Sequence, residues 1–424
     1  MKSHRIYPIW LRGKMDDMFR NRNIQFTAGA LCAVLVITLL YFLPPIHDRL
    51  SWRVDFATSF LRGALRPVSA IPTAEPETLQ VVITPTIAPL PLATPTPLQP
   101  TPMPTALPAS ASLPAPTFEQ QTMNNCGPAA LSTYLRFYGW EGNQESVANI
   151  LKPRPEDRNV NVEELVYFVR NNAGWLNIQY RVGGDVQLLK SLLANGIPVM
   201  VEESFHMDQK YWPNDDLWAG HYQFITGYND ATGTFVAQDT YYGPNLAISY
   251  DELENAWQSF NHVYILIYPP EKEETVKTLL GDEWDVDVNR QHTLEEARRA
   301  TMREPENTFA WFNLGSNLVY FEQYNEAAAA YDQARALGFP QRMLRYQFGP
   351  FIAYFNARRT EDLMTIAKYA VNITPNSEEA RLWLGWAHYR SGDRSAALSE
   401  FKKALYYNET YPDAIYALDF LANH

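Results

Sequence analysis

Apolar and polar positions divide the chain into distinct regimes. From Ile24 to Leu43 (IQFTAGALCAVLVITLLYFL) about twenty residues run without a charge, the length that spans the hydrocarbon core of a bilayer. This predicts a transmembrane helix over 24–43 behind a short basic segment, 1–23. From Phe118 to Pro270, helical spacings and period-two runs interleave. Gly127–Tyr138, Val160–Asn172 and Asp185–Ala194 carry apolar residues at helical offsets. Strand-like runs follow at Leu176–Arg181, Pro198–Glu202, Tyr222–Tyr228, Thr234–Gln238, Leu246–Ser249 and Val263–Tyr268. A helical patch followed by a mostly antiparallel sheet predicts an α+β domain over 118–270. Beyond it the pattern is helical and repeats itself. Trp311, Leu314, Gly315, Ala327, Tyr331 and Ala334 find counterparts in Leu384, Gly385, Ala397, Phe401 and Ala404. An all-α repeat domain is therefore placed at 291–424, with the charged stretch 271–290 as a linker.

The segment 44–117 fits neither pattern. Fourteen of the chain's 30 prolines fall between Pro67 and Pro116, a composition that builds neither ladder nor core. Behind a juxtamembrane stretch, the part from Pro67 to Pro116 predicts an extended, partly polyproline stalk, reaching up to ~150 Å at ~3.1 Å per residue. Lys2, Arg5, Arg12, Lys14, Arg20 and Arg22 precede the apolar run against Asp16 and Asp17, which favours a cytoplasmic N-terminus. Arg49 and Arg53 on the far side reduce that contrast. No small-residue cleavage motif follows at Tyr41–Pro45. The expectation is a single-pass cell-membrane protein, held by one helix, with its soluble domains extracytoplasmic. A net charge of -12 argues against a nucleic-acid partner, which needs a basic face.

Only two cysteines occur, Cys32 in the apolar run and Cys126 at the head of the first predicted helix, so no disulfide framework is expected. A thiol at a helix N-terminus is placed to lose its proton. Cys126 lies in Gln120-Gln121-Thr122-Met123-Asn124-Asn125-Cys126-Gly127-Pro128, with Asn125 or Cys126 itself as the N-cap. Gly127 after the cysteine is expected to let a substrate backbone approach. A nucleophilic thiol needs a histidine to take its proton, and there are three to weigh: His206 at a polar loop, His262 at the start of the last strand, and His221 in Gly220-His221-Tyr222. The acidic loop Asp208–Asp216 reads equally as the border of a cleft or as a solvated loop. No cofactor or metal is expected, since the chain has no cysteine pair, no His-x-x-x-His and no glycine-rich phosphate loop.

Asn125-Cys126-Gly127-Pro128-Ala129-Ala130-Leu131, with Gly220-His221-Tyr222 about ninety-five residues on and then Gln238-Asp239, resembles the bacteriocin-processing (double-glycine leader) type of papain-like cysteine peptidase. The resemblance covers 118–270. It implies Cys126 as nucleophile, His221 as general base and Asp239 as the residue that orients the imidazole. It also implies a glutamine as oxyanion donor. Transporter-linked members put that glutamine at Gln120, free-standing ones at Gln121, and Gln121 is preferred. The family's Asp-Pro is Asp239-Thr240 here, a departure at the orienting position. The helical repeats resemble tetratricopeptide repeats, with a degenerate middle copy around Leu363, Ala367, Ala370 and Pro375, which implies a protein partner. Together these features predict an extracytoplasmic peptidase acting on a peptide or protein. The alternatives are a non-catalytic scaffold, or an amidase or acyltransferase using the same three residues.

Overall fold

The computed structural model describes residues 22–41, 43–68, 70–73, 106–152 and 159–424. They form two compact units: the N-terminal helices to Pro67 with Tyr211–Pro213, and Val68–Lys210 with Asn214–His424. In the first unit, α1 (Arg22–Tyr41) is followed by α2 (Pro44–Leu65), which starts where Pro44 and Pro45 occupy positions needing no backbone donor. Phe56 of α2 packs edge-on to Tyr211, their ring centroids 5.3 Å apart. The helix over 44–65 occupies the juxtamembrane part of 44–117, ahead of the proline-rich stretch that begins at Pro67. Among the described residues no helix is long and apolar enough to cross a membrane, so the span expected over 24–43 rests on the sequence. Most of the stalk, 74–105, lies outside the described residues.

The second unit opens with β1 (Ser110–Ser112) and the helices α3 (Cys126–Phe137), α4 (Gln144–Leu151) and α5 (Val162–Asn172). There follow β2 (Asn177–Arg181), α6 (Val186–Ala194), β3 (Val199–His206), β4 (Trp218–Asn229), β5 (Thr234–Asp239), β6 (Gly243–Ser249), α7 (Tyr250–Trp257) and β7 (Tyr264–Tyr268). The antiparallel sheet runs β2-β7-β3-β4-β5-β6. β4 is longer than β3, and β1 pairs with the end of β4 that β3 leaves open, Ser110 opposite Asn229 and Ser112 opposite Gly227. Thus 106–117, expected as the end of the stalk, is held on the sheet; Tyr228 fixes it further by donating its hydroxyl to the Pro108 carbonyl at 2.6 Å. Apolar alternation buries both faces of the sheet. Met200, Tyr222, Phe224 and Ile265 face a core shared with α3, α4 and α5. Val199, Val201, Ile225 and Leu266 face a second core with Leu189, Leu192 and Trp257.

The stretch 271–290 is helical. It contains α8 (Glu273–Leu280) and the start of α9 (Val286–Arg303). Val276 and Leu280 belong to the second core, and Asn289 exchanges two hydrogen bonds with the backbone of Val182. Beyond it the chain is all helix: α10 (Thr308–Tyr320), α11 (Tyr324–Leu337), α12 (Met343–Tyr346), α13 (Gly349–Asn356), α14 (Thr360–Ile373), α15 (Glu378–Arg390), α16 (Arg394–Tyr407) and α17 (Pro412–Asn423). Buried Tyr331 lies against Gly315, and buried Phe401 against Gly385, so the two sequence copies close their helix pairs in the same way.

The helical region packs directly behind the strand that carries His221. Trp218 stacks on Phe260 and meets Tyr346 edge-on at 5.7 Å. A β-carbon on Gly220 would sit 2.9 Å from Phe260 Cζ and 3.1 Å from Tyr346 Cδ1, so only glycine lets these rings reach the strand. Alongside, Arg342 donates two hydrogen bonds to Asp215 at 2.5 Å, and both residues are buried. The loop Asp208–Asp216 is therefore partly a structural junction. Arg342→Met should cost about 3–5 kcal/mol, because it strands a buried carboxylate. Adding Asp215→Leu should recover most of that loss in urea unfolding followed by tryptophan fluorescence; equal stability of Arg342→Met and the parent would exclude the pair from the fold's energetics.

Candidate active site

Polar contacts hold the approach to Cys126. Asn124 takes a left-handed conformation (φ 57°), which asparagine tolerates best after glycine, and Lys152 Nζ donates to its carbonyl at 2.8 Å. The Gln144 side chain ties the segment together: its oxygen accepts from the Thr122 N–H and from Asn125 Nδ2, and its nitrogen donates to Glu119 and to the Gln120 carbonyl. Cys126 is the first residue of α3 with Asn125 as N-cap, as the sequence predicts. Gly127 does not face a substrate path. A β-carbon there would lie 3.3 Å from Tyr222 and from Val160, so its smallness serves packing.

His221 sits within β4, opposite Glu203 of β3, and is fully buried, with Phe205 against its ring at 5.1 Å. Its Nε2 lies 3.2 Å from Asp239 Oδ2. Asp239, at the end of β5, is saturated. Oδ1 accepts the N–H groups of Tyr241 and Tyr242 at 2.6 Å, and Oδ2 also accepts from Gln223 Nε2 at 2.5 Å. Nδ1 of His221 closes no hydrogen bond, and the imidazole is near enough to the Cys126 thiol for the two groups to influence each other's ionisation, as expected where a catalytic contact tightens only with substrate bound. Thus the structure brings Cys126, His221 and Asp239 together. His206 is exposed at the end of β3, and His262 pairs with Glu254 at 3.0 Å.

Electrostatics favour separated charges. Burial pushes the Cys126 thiol up, but hydrogen bonding and charge from His221, the Lys152 ammonium and the Gly127 N–H together hold it below the ordinary thiol value. Burial works against the imidazolium, yet Asp239 and Cys126 raise His221 to about 10. For Asp239 burial acts upward, and His221 with the two backbone N–H groups outweighs it, leaving the carboxyl below its usual range. Burial drives Glu202 well above its usual value, with the Cys126 charge adding to it, and lifts Glu203 to about 7.

The two glutamines differ. Gln120 is exposed and donates its amide to the carbonyls of Thr240, at 3.1 Å, and Tyr241, at 2.6 Å. Gln121 bonds through its backbone N–H to the Thr240 carbonyl at 2.8 Å, and its Oε1 accepts the Thr240 hydroxyl at 2.9 Å. Its Nε2 is left unspent. Lys152, Gln144 and Gln223 carry no signal of a role in the sequence: single polar residues far apart in the chain have no characteristic spacing. Among the described residues no cluster of three or more His, Cys, Asp or Glu side chains is arranged to hold a metal ion.

A cysteine heading a helix that packs on an antiparallel sheet, with a strand-borne histidine and carboxylate, defines a papain-like cysteine-peptidase domain. Residues 112–265 match the Peptidase_C39 like family. Curated protein sequences give no match. Among solved structures, a Bacillus anthracis protein described as a C39-like peptidase is 14% identical, with 37% of this chain and 96% of that one covered and a TM-score of 0.30. The double glycine motif protease of an AMS/PCAT transporter, crystallised with the leader peptide, is 16% identical over 38% and 94%, with a TM-score of 0.28. The peptidase domain of Streptococcus ComA, a bifunctional ABC transporter of a quorum-sensing pathway, is 16% identical over 37% and 98%, also at 0.28.

Proposed function

We propose that the chain is a membrane-anchored cysteine peptidase that hydrolyses a peptide bond of a peptide or protein. The observation that carries this reading is the alignment of Cys126 at the head of α3 with buried His221 and its partner Asp239. The Cys126 thiolate attacks the scissile carbonyl carbon, forming an S–C bond and moving charge onto oxygen, where Gln121 Nε2 donates. As this tetrahedral centre collapses the C–N bond breaks, and His221 gives its proton to the departing amine. Neutral His221 then takes a proton from water, whose oxygen attacks the thioester. The acid departs and the thiolate–imidazolium pair is restored.

The anchor rests on the uncharged run 24–43, and its extracytoplasmic topology on the basic residues ahead of that run. Phe26, Leu31, Val34, Leu35, Ile37 and Leu39 of α1 are exposed, an apolar surface that lipid would cover. The helix pairs with tetratricopeptide spacings are assigned a protein partner. Full-length protein in detergent micelles should generate new amine termini from a mixed peptide pool, read by mass spectrometry. Cys126→Ala should lower that yield by at least about 10³-fold; equal yield would remove the thiol from the chemistry.

A further inference from the structure

We propose that Thr240 is a positioning residue of the oxyanion site: its hydroxyl sets the rotamer of Gln121 and aims the Gln121 amide at the developing charge. The inference rests on the peptidase reading above. Thr240 follows Asp239 directly and is 1% exposed. It engages both candidate glutamines, and it treats them differently. Its carbonyl accepts the Gln121 backbone N–H and one proton of the Gln120 amide. Its hydroxyl donates to Gln121 Oε1 at 2.9 Å. An amide whose oxygen is held presents its nitrogen on the opposite side, so only Gln121 is left with a directed, unused donor. The turn that carries Thr240 is fixed in its own right, because Asp239 Oδ1 accepts the N–H groups of Tyr241 and Tyr242. One dipeptide, Asp239-Thr240, thereby sets both the imidazole and the oxyanion donor. Proline at 240 would keep the carbonyl and lose the hydroxyl, so in this chain the departure from Asp-Pro supplies the contact.

Two probes of known chemistry separate this role from a general structural one. Iodoacetamide alkylates a thiolate without an oxyanion; p-nitrophenyl acetate acylates it through one, with the S–C bond formed as p-nitrophenolate leaves. The full chain is used with Cys32→Ser throughout, so that Cys126 is the one thiol. Thr240→Val should slow the p-nitrophenolate burst about tenfold, less than the ~10²-fold expected for Gln121→Ala, and leave alkylation and its pH profile unchanged. Thr240→Ser should restore the burst to within about twofold, and Thr240→Val should add nothing in a Gln121→Ala background. A Thr240→Val burst equal to the parent's would overturn the proposal, as would equal losses in both reactions. A parent protein that is neither alkylated faster than a free thiol nor acylated would sink the peptidase reading itself, and this proposal with it.

Discussion

His221→Ala is expected to lower peptide turnover by about 10³–10⁴-fold, the range for removing a positioned acid–base group together with the partner that ionises the nucleophile. Two losses combine. In the proposed mechanism the imidazole protonates the departing amine. It also supplies the strongest influence opposing burial at Cys126, by hydrogen bond and by charge. Without it Lys152 and the Gly127 N–H remain, too little to offset desolvation of a buried thiolate, and the thiol becomes protonated at neutral pH. Alkylation of Cys126 at pH 7 should therefore fall together with turnover. Turnover that survives in His221→Ala would reassign the base, with His206 and His262 the histidines left to test.

Asp239→Asn should lower turnover by about 10²-fold and destabilise the domain by about 3–5 kcal/mol. Asp239 Oδ2 receives donors from both Gln223 and His221. With Oδ1 held by two backbone N–H groups, an asparagine would turn its own N–H₂ toward those donors. The conflict leaves His221 Nε2 without an acceptor and favours the tautomer with its proton toward the thiol, which cannot accept another. The destabilisation should depend on pH. His221 is raised to about 10, so the stability it draws from Asp239 is full below its unfolded value near 6.5 and is lost as pH rises toward 10. Asp239 is lowered, so its contribution is present above its unfolded value near 3.9 and is lost as pH falls through the folded one. The difference between parent and variant in urea unfolding should be widest near pH 5–6 and shrink at both extremes. A difference independent of pH would mean that the two charges are not linked in the folded state.

Much of this site was legible because its apolar and polar signals coincide. Cys126 stood at a change from polar residues to helical spacing, and His221 stood before a strand. What stayed hidden was set by contacts distant in sequence. β3 and β4 were expected to end at Glu202 and to begin at Tyr222, whereas the ladder runs on through Glu203 opposite His221 and Phe205 opposite Ala219. Polar residues there are buried by the site and not by the core, so alternation gave no sign of them. β1 was masked by proline-rich composition, since three residues pairing with the free end of β4 leave no periodic trace. α7 carries a signal readable in sequence, because Ser249 and Glu252 form a capping box. The sequence prefers Gln121 to Gln120; in the structure the Gln120 amide donates to the carbonyls of Thr240 and Tyr241, whereas Gln121 accepts the Thr240 hydroxyl at its Oε1.

The ionisation of Cys126 is the central quantity, and the pH dependence of its alkylation by iodoacetamide, in the full chain with Cys32→Ser, measures it directly. Because His221 holds the thiol below its ordinary value, the rate constant should reach its plateau at a lower pH than that of a free cysteine. A rate that is slow at pH 7 and climbs tenfold per pH unit toward about 8.5, as for a free cysteine, would contradict a thiolate–imidazolium pair.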